Sequence, residues 1–360
     1  EINRGNTMGE LSKNKSDQFT LFTFWMTICI VFYHTAPHLL IMADMGGYDR
    51  NFFETLGAIA LNYFFATSAY FFFSSEHCFA FKMKKRIKTL CLPFVVWNTL
   101  YIPLYILQNG IPSLSTTVLG YTLEPFDGPL WYIFVLYIFF GLSYCIDRIR
   151  SSNPKGLLFL ALLISICAAS LHQFFISGSV SFMYDYWLER TIRMIPAFLF
   201  GAYYGKRKNI KTEKILKLPH ITILITAIVL WGLATYLGDC FVTVLLLYVC
   251  TVCLWFGFPD INLKLEPILR HSMFLIYVVH EGIVIVLLAF MNKIRLCNAI
   301  TNRVRFIGCL LVFLFIVVGV AMLIAKIIEQ CPVKVSEILT GGRSEAMNNK
   351  SDFPKNIKNR

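Results

Sequence analysis

The chain has 360 residues, 57% hydrophobic and only 15% charged, with a net charge of +12 and a mean hydropathy of +0.62. A soluble domain carries about 25% charged residues, and the apolar excess here is gathered into long charge-poor runs. That excludes a soluble enzyme, a disulfide-stapled secreted domain and a disordered chain, and predicts an all-α fold, a polytopic membrane helix bundle.

Residues 1–18 are polar and are expected to form a cytoplasmic tail, with Met8 a candidate start and no cleavable signal-peptide pattern. A bilayer core of about 30 Å needs about 20 apolar residues as a helix. Ten segments meet this in chain order. The first five are Phe19–Ala43, Phe52–Phe73, Thr89–Leu107, Pro129–Ile146 and Leu157–Ile176. The others are Leu188–Gly205, Ile221–Leu237, Phe241–Phe256, Ile268–Met291 and Phe306–Ile328. Glu189, Arg190 and Arg193 make the sixth the least apolar, and a tight Gly238-Asp239-Cys240 hairpin joins the seventh to the eighth. Residues 19–330 thus read as one membrane domain, and 331–360, rich in Asn, Lys and Ser, as a disordered cytoplasmic tail.

Lys and Arg in short loops fix orientation. Of the 33 basic residues, 26 fall in the tails and loops of one side, 5 on the other, and Arg190 and Arg193 lie inside the sixth span. Both termini are therefore expected in the cytoplasm. The +12 charge is mostly a topology signal, and no nucleic-acid partner is expected. Most of the 11 Cys lie in apolar runs and read as small packing residues. Cys250 and Cys253 form a CxxC without a flanking turn, and Cys240 and Cys297 could pair outside.

Ionisable groups within spans are costly and by default mark function. His34 and His38 share a face of the first helix, with Pro37 between them. His34 lies about 22 Å along the helix from Phe19, past the midplane. His280 and Glu281 sit mid-way along the ninth span, and Glu189, Arg190 and Arg193 in the outer half of the sixth. A mid-membrane His suits general-base work near neutral pH, and two Arg three apart can hold one anion. The cytoplasmic stretch Lys82–Lys88 is a dense basic patch. Blander readings stand beside these: hydrogen-bonded core histidines, headgroup contacts for Glu189 and Arg190, and a topology anchor or anionic-lipid patch for the basic loop. A His34–His38 metal pair lacks a third ligand at suitable spacing, so no metal is expected.

Five stretches follow one another along the chain: Ile-Val-Phe-Tyr-His34; Asn62-Tyr-Phe-Phe-Ala-Thr-Ser68-Ala-Tyr70; Lys85-Arg86-Ile-Lys88 running to Pro93 and Trp97; Gly128-Pro-Leu130-Trp131-Tyr132; and Phe274-Leu-Ile-Tyr277-Val-Val-His280. In this order they resemble the acyltransferase-3 family of bacterial integral membrane acyltransferases. The resemblance covers roughly residues 17–328. It implies transfer of an acyl group, often acetyl, from cytoplasmic acyl-CoA to a carbohydrate hydroxyl at or beyond the outer face, with acyl-CoA as substrate and no resident cofactor. It makes His34 the essential histidine. The family's basic residue eleven positions earlier is Thr23 here, which leaves its task to Lys13, Lys15 or a basic residue elsewhere.

The expected activity is therefore a membrane O-acyltransferase of the bacterial cytoplasmic membrane, acting on an envelope or exported polysaccharide or glycolipid. His34 is expected as general base or transient acyl carrier, with His280 and Glu189 orienting it or relaying protons. Arg190 and Arg193 are expected to meet oxyanion charge or an anionic substrate, and Lys84, Lys85, Arg86 and Lys88 the CoA phosphates. Polysaccharide assembly proteins are candidate partners, and membrane lipid surrounds the chain. The alternative is a non-enzymatic carrier of a small amino acid or glycan precursor, which the Thr23 departure favours.

Overall fold

A computed structural model describes residues 4–42, 47–75, 77–122, 124–149, 155–177, 185–206, 219–258, 267–295, 300 and 302–342. Among them there is no strand. The chain is a polytopic helical membrane bundle. Its helices are α1 (Arg4–Met42), α2 (Gly47–Ser74), α3 (Phe79–Arg86), α4 (Leu92–Asn109), α5 (Leu114–Gly120), α6 (Trp131–Ile149) and α7 (Lys155–Ile176). Then follow α8 (Asp185–Lys206), α9 (His220–Leu237), α10 (Phe241–Gly257), α11 (Pro267–Lys293), α12 (Arg303–Glu329) and α13 (Val333–Thr340). A π-helical turn, Ile87–Cys91, fuses α3 to α4.

Each of the ten expected spans coincides with a helix. Among the described residues eight are long and apolar enough to cross a membrane; α8 carries several charges, and α10, at 17 residues, is one residue shorter than α9. The bundle rather than each helix sets what is tolerated here: α8 buries its charged face against α7 and α2, so its polar groups need not face lipid. Apolar side chains that stay open, such as Leu107, Phe315 and Tyr236, mark the lipid-facing surface.

Two expectations about the ends are corrected. The polar N-terminal stretch is not separate from the first span, because α1 is helical from Arg4 and runs on through Pro37. The C-terminal tail is not disordered throughout. Its first part is α13, held against α4 where the Trp97 indole donates to the Leu339 carbonyl (2.9 Å). Residues 343–360 lie outside the described residues.

The tightest interhelical approach is between α2 and α8. A Cβ on Gly201 would stand 1.9 Å from the Ala66 carbonyl oxygen, and one on Gly205 2.5 Å from that of Tyr70. Two glycines four apart let backbones touch, which is how membrane helices gain dispersion energy without a hydrophobic drive between them. This contact sets α8, and with it Glu189, Arg190 and Arg193, against the bundle. Cys250 packs between α9 and α10, its thiol on the Ala227 carbonyl. Cys240 is a free thiol, and its suggested partner Cys297 lies outside the described residues.

Candidate active site

The ends of α1, α2, α6, α7, α8 and the α9–α10 turn opposite the basic loop enclose a cavity of about 680 Å³. His34 stands on its wall. Across the α1–α11 contact, His34 Nδ1 lies 3.1 Å from Glu281 Oε2. The contact is an ion-pair approach rather than a straight hydrogen bond, but a carboxylate there favours the proton on Nδ1 and leaves the lone pair on Nε2. The His280 ring is 4.9 Å from that of His34 and nearly perpendicular to it. His280 is fully buried, and its Nδ1 is 2.7 Å from the Tyr277 carbonyl one turn back. A carbonyl only accepts, so that nitrogen carries the hydrogen; Nε2 is buried with no hydrogen-bond partner among the described residues. One ligand atom from each of His34, His280 and Glu281 lies within 4.8 Å of the others, so this trio could hold a metal ion. His38 is not part of it.

The backbone of α11 is modified at this point. The Tyr101 hydroxyl, from α4, donates to the Val278 carbonyl (2.9 Å) and accepts from the Gly282 amide (3.1 Å). In an uninterrupted helix those two groups would pair with each other. A side chain inserted into the ladder is a recognised cause of local bending, and it sits astride His280 and Glu281. The absence of a side chain at Gly282 makes room for the hydroxyl.

Glu189 does not meet His34. Its Oε1 accepts from His172 Nδ1 (2.7 Å) and from Arg193 Nη1 (2.9 Å). His172 Nε2 in turn is 2.6 Å from Asp239 Oδ1 in the α9–α10 turn. This hydrogen bond holds the Asp239 carboxyl below its ordinary value. The pair of arginines expected to share one anion is therefore divided. Arg193 is committed to Glu189, whereas Arg190 lies with its guanidinium 5.4 Å from the Trp131 ring and beside the Tyr33 hydroxyl, on the His34 side of the cavity.

The basic patch is at the opposite end of the bundle. Lys84, Lys85 and Lys88 are exposed, while Arg86 turns inward, 4.9 Å from the Phe140 ring and 6.0 Å from that of Phe72. Lys82 lies over Phe72 and Lys206 of α8 over Phe73. Arg86 thus points a half-buried cation into the bundle immediately before the π-helical turn, a rare element found disproportionately at functional sites. Thr23 is near the Tyr63 hydroxyl, within an aromatic cluster of Phe22, Tyr63 and Phe258. The side chains of Lys13 and Lys15 lie outside the described residues.

Sequence reading left Glu281 without a role and passed over His172, Asp239 and Asp127. The signal for His172 was present: it is an ionisable residue within the fifth span. Asp127 has no such signal, because it precedes the fourth span in a turn. The turn folds inward because Asn98, fully buried on α4, donates to the Gly120 carbonyl (2.7 Å) and accepts from the Phe126 amide (2.8 Å). Both Asp127 carboxyl oxygens are buried without a hydrogen-bond partner among the described residues. Burial, with the Glu281 charge the smaller cause, holds this carboxyl well above its ordinary value.

An acid raised on folding holds its proton more tightly folded than unfolded. Its stabilising contribution is full below the ordinary carboxylate value and declines as pH rises towards the folded value. Asp127→Asn keeps the shape and removes this titration. In detergent, the variant is expected to melt with the wild type at roughly pH 4 and above it at roughly pH 8. A difference independent of pH would refute the protonated carboxyl.

A family model described as an acyltransferase domain matches residues 22–325. No curated protein and no solved structure gives a match.

Proposed function

The chain belongs to the acyltransferase-3 family, and from that premise we propose that it is an O-acyltransferase of the bacterial cytoplasmic membrane. It would move an acyl group, most simply acetyl, from cytoplasmic acyl-CoA to a hydroxyl of an envelope or exported polysaccharide or glycolipid. The observation that carries this reading is the pairing of Glu281 with His34, which stands on the wall of a cavity that also holds Arg190, Glu189 and Asp239.

The chemistry follows from the pair. Glu281 keeps the proton on His34 Nδ1 and offsets charge on the ring. The His34 Nε2 lone pair takes the proton of the acceptor hydroxyl as its oxygen attacks the thioester carbonyl. The tetrahedral oxyanion collapses, the carbon–sulfur bond breaks, and the CoA thiolate receives the proton from the imidazolium. The same geometry serves a two-step route in which His34 carries the acyl group. Arg190, the arginine not paired with Glu189, is the cation suited to the oxyanion or to an anionic part of the substrate. Arg86, backed by Lys84, Lys85 and Lys88, is suited to the donor phosphates at the cytoplasmic end. As a half-buried cation there it is a candidate for the task of the basic residue that Thr23 replaces. His34 is about 24 Å along α1 from Gln18, so donor and acceptor approach from opposite sides of the bundle.

The test is reconstitution in proteoliposomes with labelled acetyl-CoA inside and a glycan acceptor outside. The expected result is a labelled ester on the glycan that requires acetyl-CoA. Passage of unmodified substrate without acetyl-CoA, and no ester, would overturn the reading in favour of a carrier.

A further inference from the structure

On the cavity wall lined by α7, α8 and the α9–α10 turn, Glu189, His172 and Asp239 form a row. Both imidazole nitrogens face carboxylate oxygens, at 2.7 and 2.6 Å. Carboxylates accept and cannot donate, so each nitrogen carries a hydrogen and the ring is an imidazolium. With Arg193 on Glu189, two anions meet two cations and the row is neutral.

Its burial is uneven. The His172 and Glu189 side chains are 8% and 9% exposed, that of Asp239 62%. An exposed carboxylate is well solvated and gains little from an ion pair. A buried imidazolium that holds it is therefore more than a surface salt bridge: it fixes where the free Asp239 oxygen points. The turn itself is firm. Gly238 has a positive φ of 69°, the Thr243 hydroxyl donates to its carbonyl (2.6 Å), and the Phe241 amide donates to Gln173 (3.0 Å). Asn51 approaches Gly238 from the start of α2, and beside it Arg50 pairs with Glu54 at 2.7 Å. Paired charges, an amide and an oriented carboxylate match a hydroxylated neutral ligand better than an ion.

We propose that Asp239 is the specificity-determining residue for the acceptor: it accepts hydrogen bonds from hydroxyls of the sugar other than the one that reacts at His34. His172 is the positioning residue that holds it. The inference rests on the acyl-transfer reading and adds to it the residue that selects the sugar.

The experiment uses the reconstituted full chain, acetyl-CoA, and a panel of methyl hexopyranosides with their monodeoxy analogues. Wild-type protein is expected to lose about ten- to a hundredfold in kcat/KM when the hydroxyl bound by Asp239 is removed. In Asp239→Asn the acceptor KM rises by a similar factor, the KM for acetyl-CoA is unchanged, and the penalty for that deoxy analogue shrinks to near one. His172→Gln is expected to show the same split between acceptor and donor KM in weaker form. Parallel losses for every analogue in Asp239→Asn, or a shift in the donor KM, would overturn this inference alone. Failure of wild-type protein to acylate any sugar of the panel would overturn the acyl-transfer reading and this inference with it.

Discussion

His34→Gln is expected to lower acyl transfer by about 10²–10⁴-fold, the range a positioned general base supplies, while the protein still folds. Glutamine keeps much of the volume and one hydrogen-bonding end, so the α1–α11 contact survives and the lone pair that takes the hydroxyl proton does not. Glu281→Gln is expected to cost less, because the amide can still accept from Nδ1 but no longer offsets the imidazolium charge. In the proposed mechanism both residues act in one proton transfer, so their effects are not expected to add. The double variant should fall no lower than His34→Gln alone. The measurement is the rate of labelled acetyl transfer at matched amounts of monodisperse protein. Full activity in His34→Gln would remove the residue from the mechanism. Additive losses would mean that Glu281 acts elsewhere, for instance through Asp127 behind it.

Gly201→Leu is expected to leave little folded protein. The first atom of any side chain at this position would meet a backbone oxygen at 1.9 Å, and a backbone cannot rotate aside as a side chain can. The cost should exceed the ~1–3 kcal/mol of ordinary overpacking, because α2 and α8 must separate along their contact. Separation would also carry Arg190 and the Glu189–His172 row away from His34. Gly232 on α9 is the control, since a Cβ there meets nothing within 4 Å. Size-exclusion profiles of solubilised protein should show Gly232→Leu as wild type and Gly201→Leu aggregated or absent. A monodisperse Gly201→Leu protein would show that the α2–α8 approach is looser than the glycines imply.

The placement of single residues shows where sequence reading stops. His34 and His280 were singled out because an ionisable group in an apolar run is a local anomaly, visible without knowing any neighbour. The same criterion applied to His172 would have found the second centre. It could not have found Asp127, which no span contains and which is buried only because Asn98 folds the preceding turn inward. Glu189 illustrates the opposite error. It lies at a depth comparable to that of His34 and was expected beside it, yet it faces α7 and the α9–α10 turn. His34 and Glu189 line one cavity, but the direction each side chain takes around its helix axis is not legible in the sequence. Arg190 and Arg193, three residues apart, both line the cavity, and the carboxylate one turn before Arg193 pairs with it.

The sequence alone was enough for a polytopic helical membrane bundle of the acyltransferase-3 family, for an expected orientation from its basic loops, and for His34 as the first candidate residue. These follow from one-dimensional constraints: a span needs its apolar length whatever surrounds it, charge on a short loop is read locally, and family motifs lie in order along the chain. Only the tertiary structure decided that Glu281 serves His34, that His172 is shared by Glu189 and Asp239, and that Arg86 turns inward. Those outcomes depend on how each helix is rotated and how closely it packs. The close α2–α8 approach at Gly201 and the Tyr101 hydroxyl within α11 are of the same kind, since both are contacts between residues far apart in the chain.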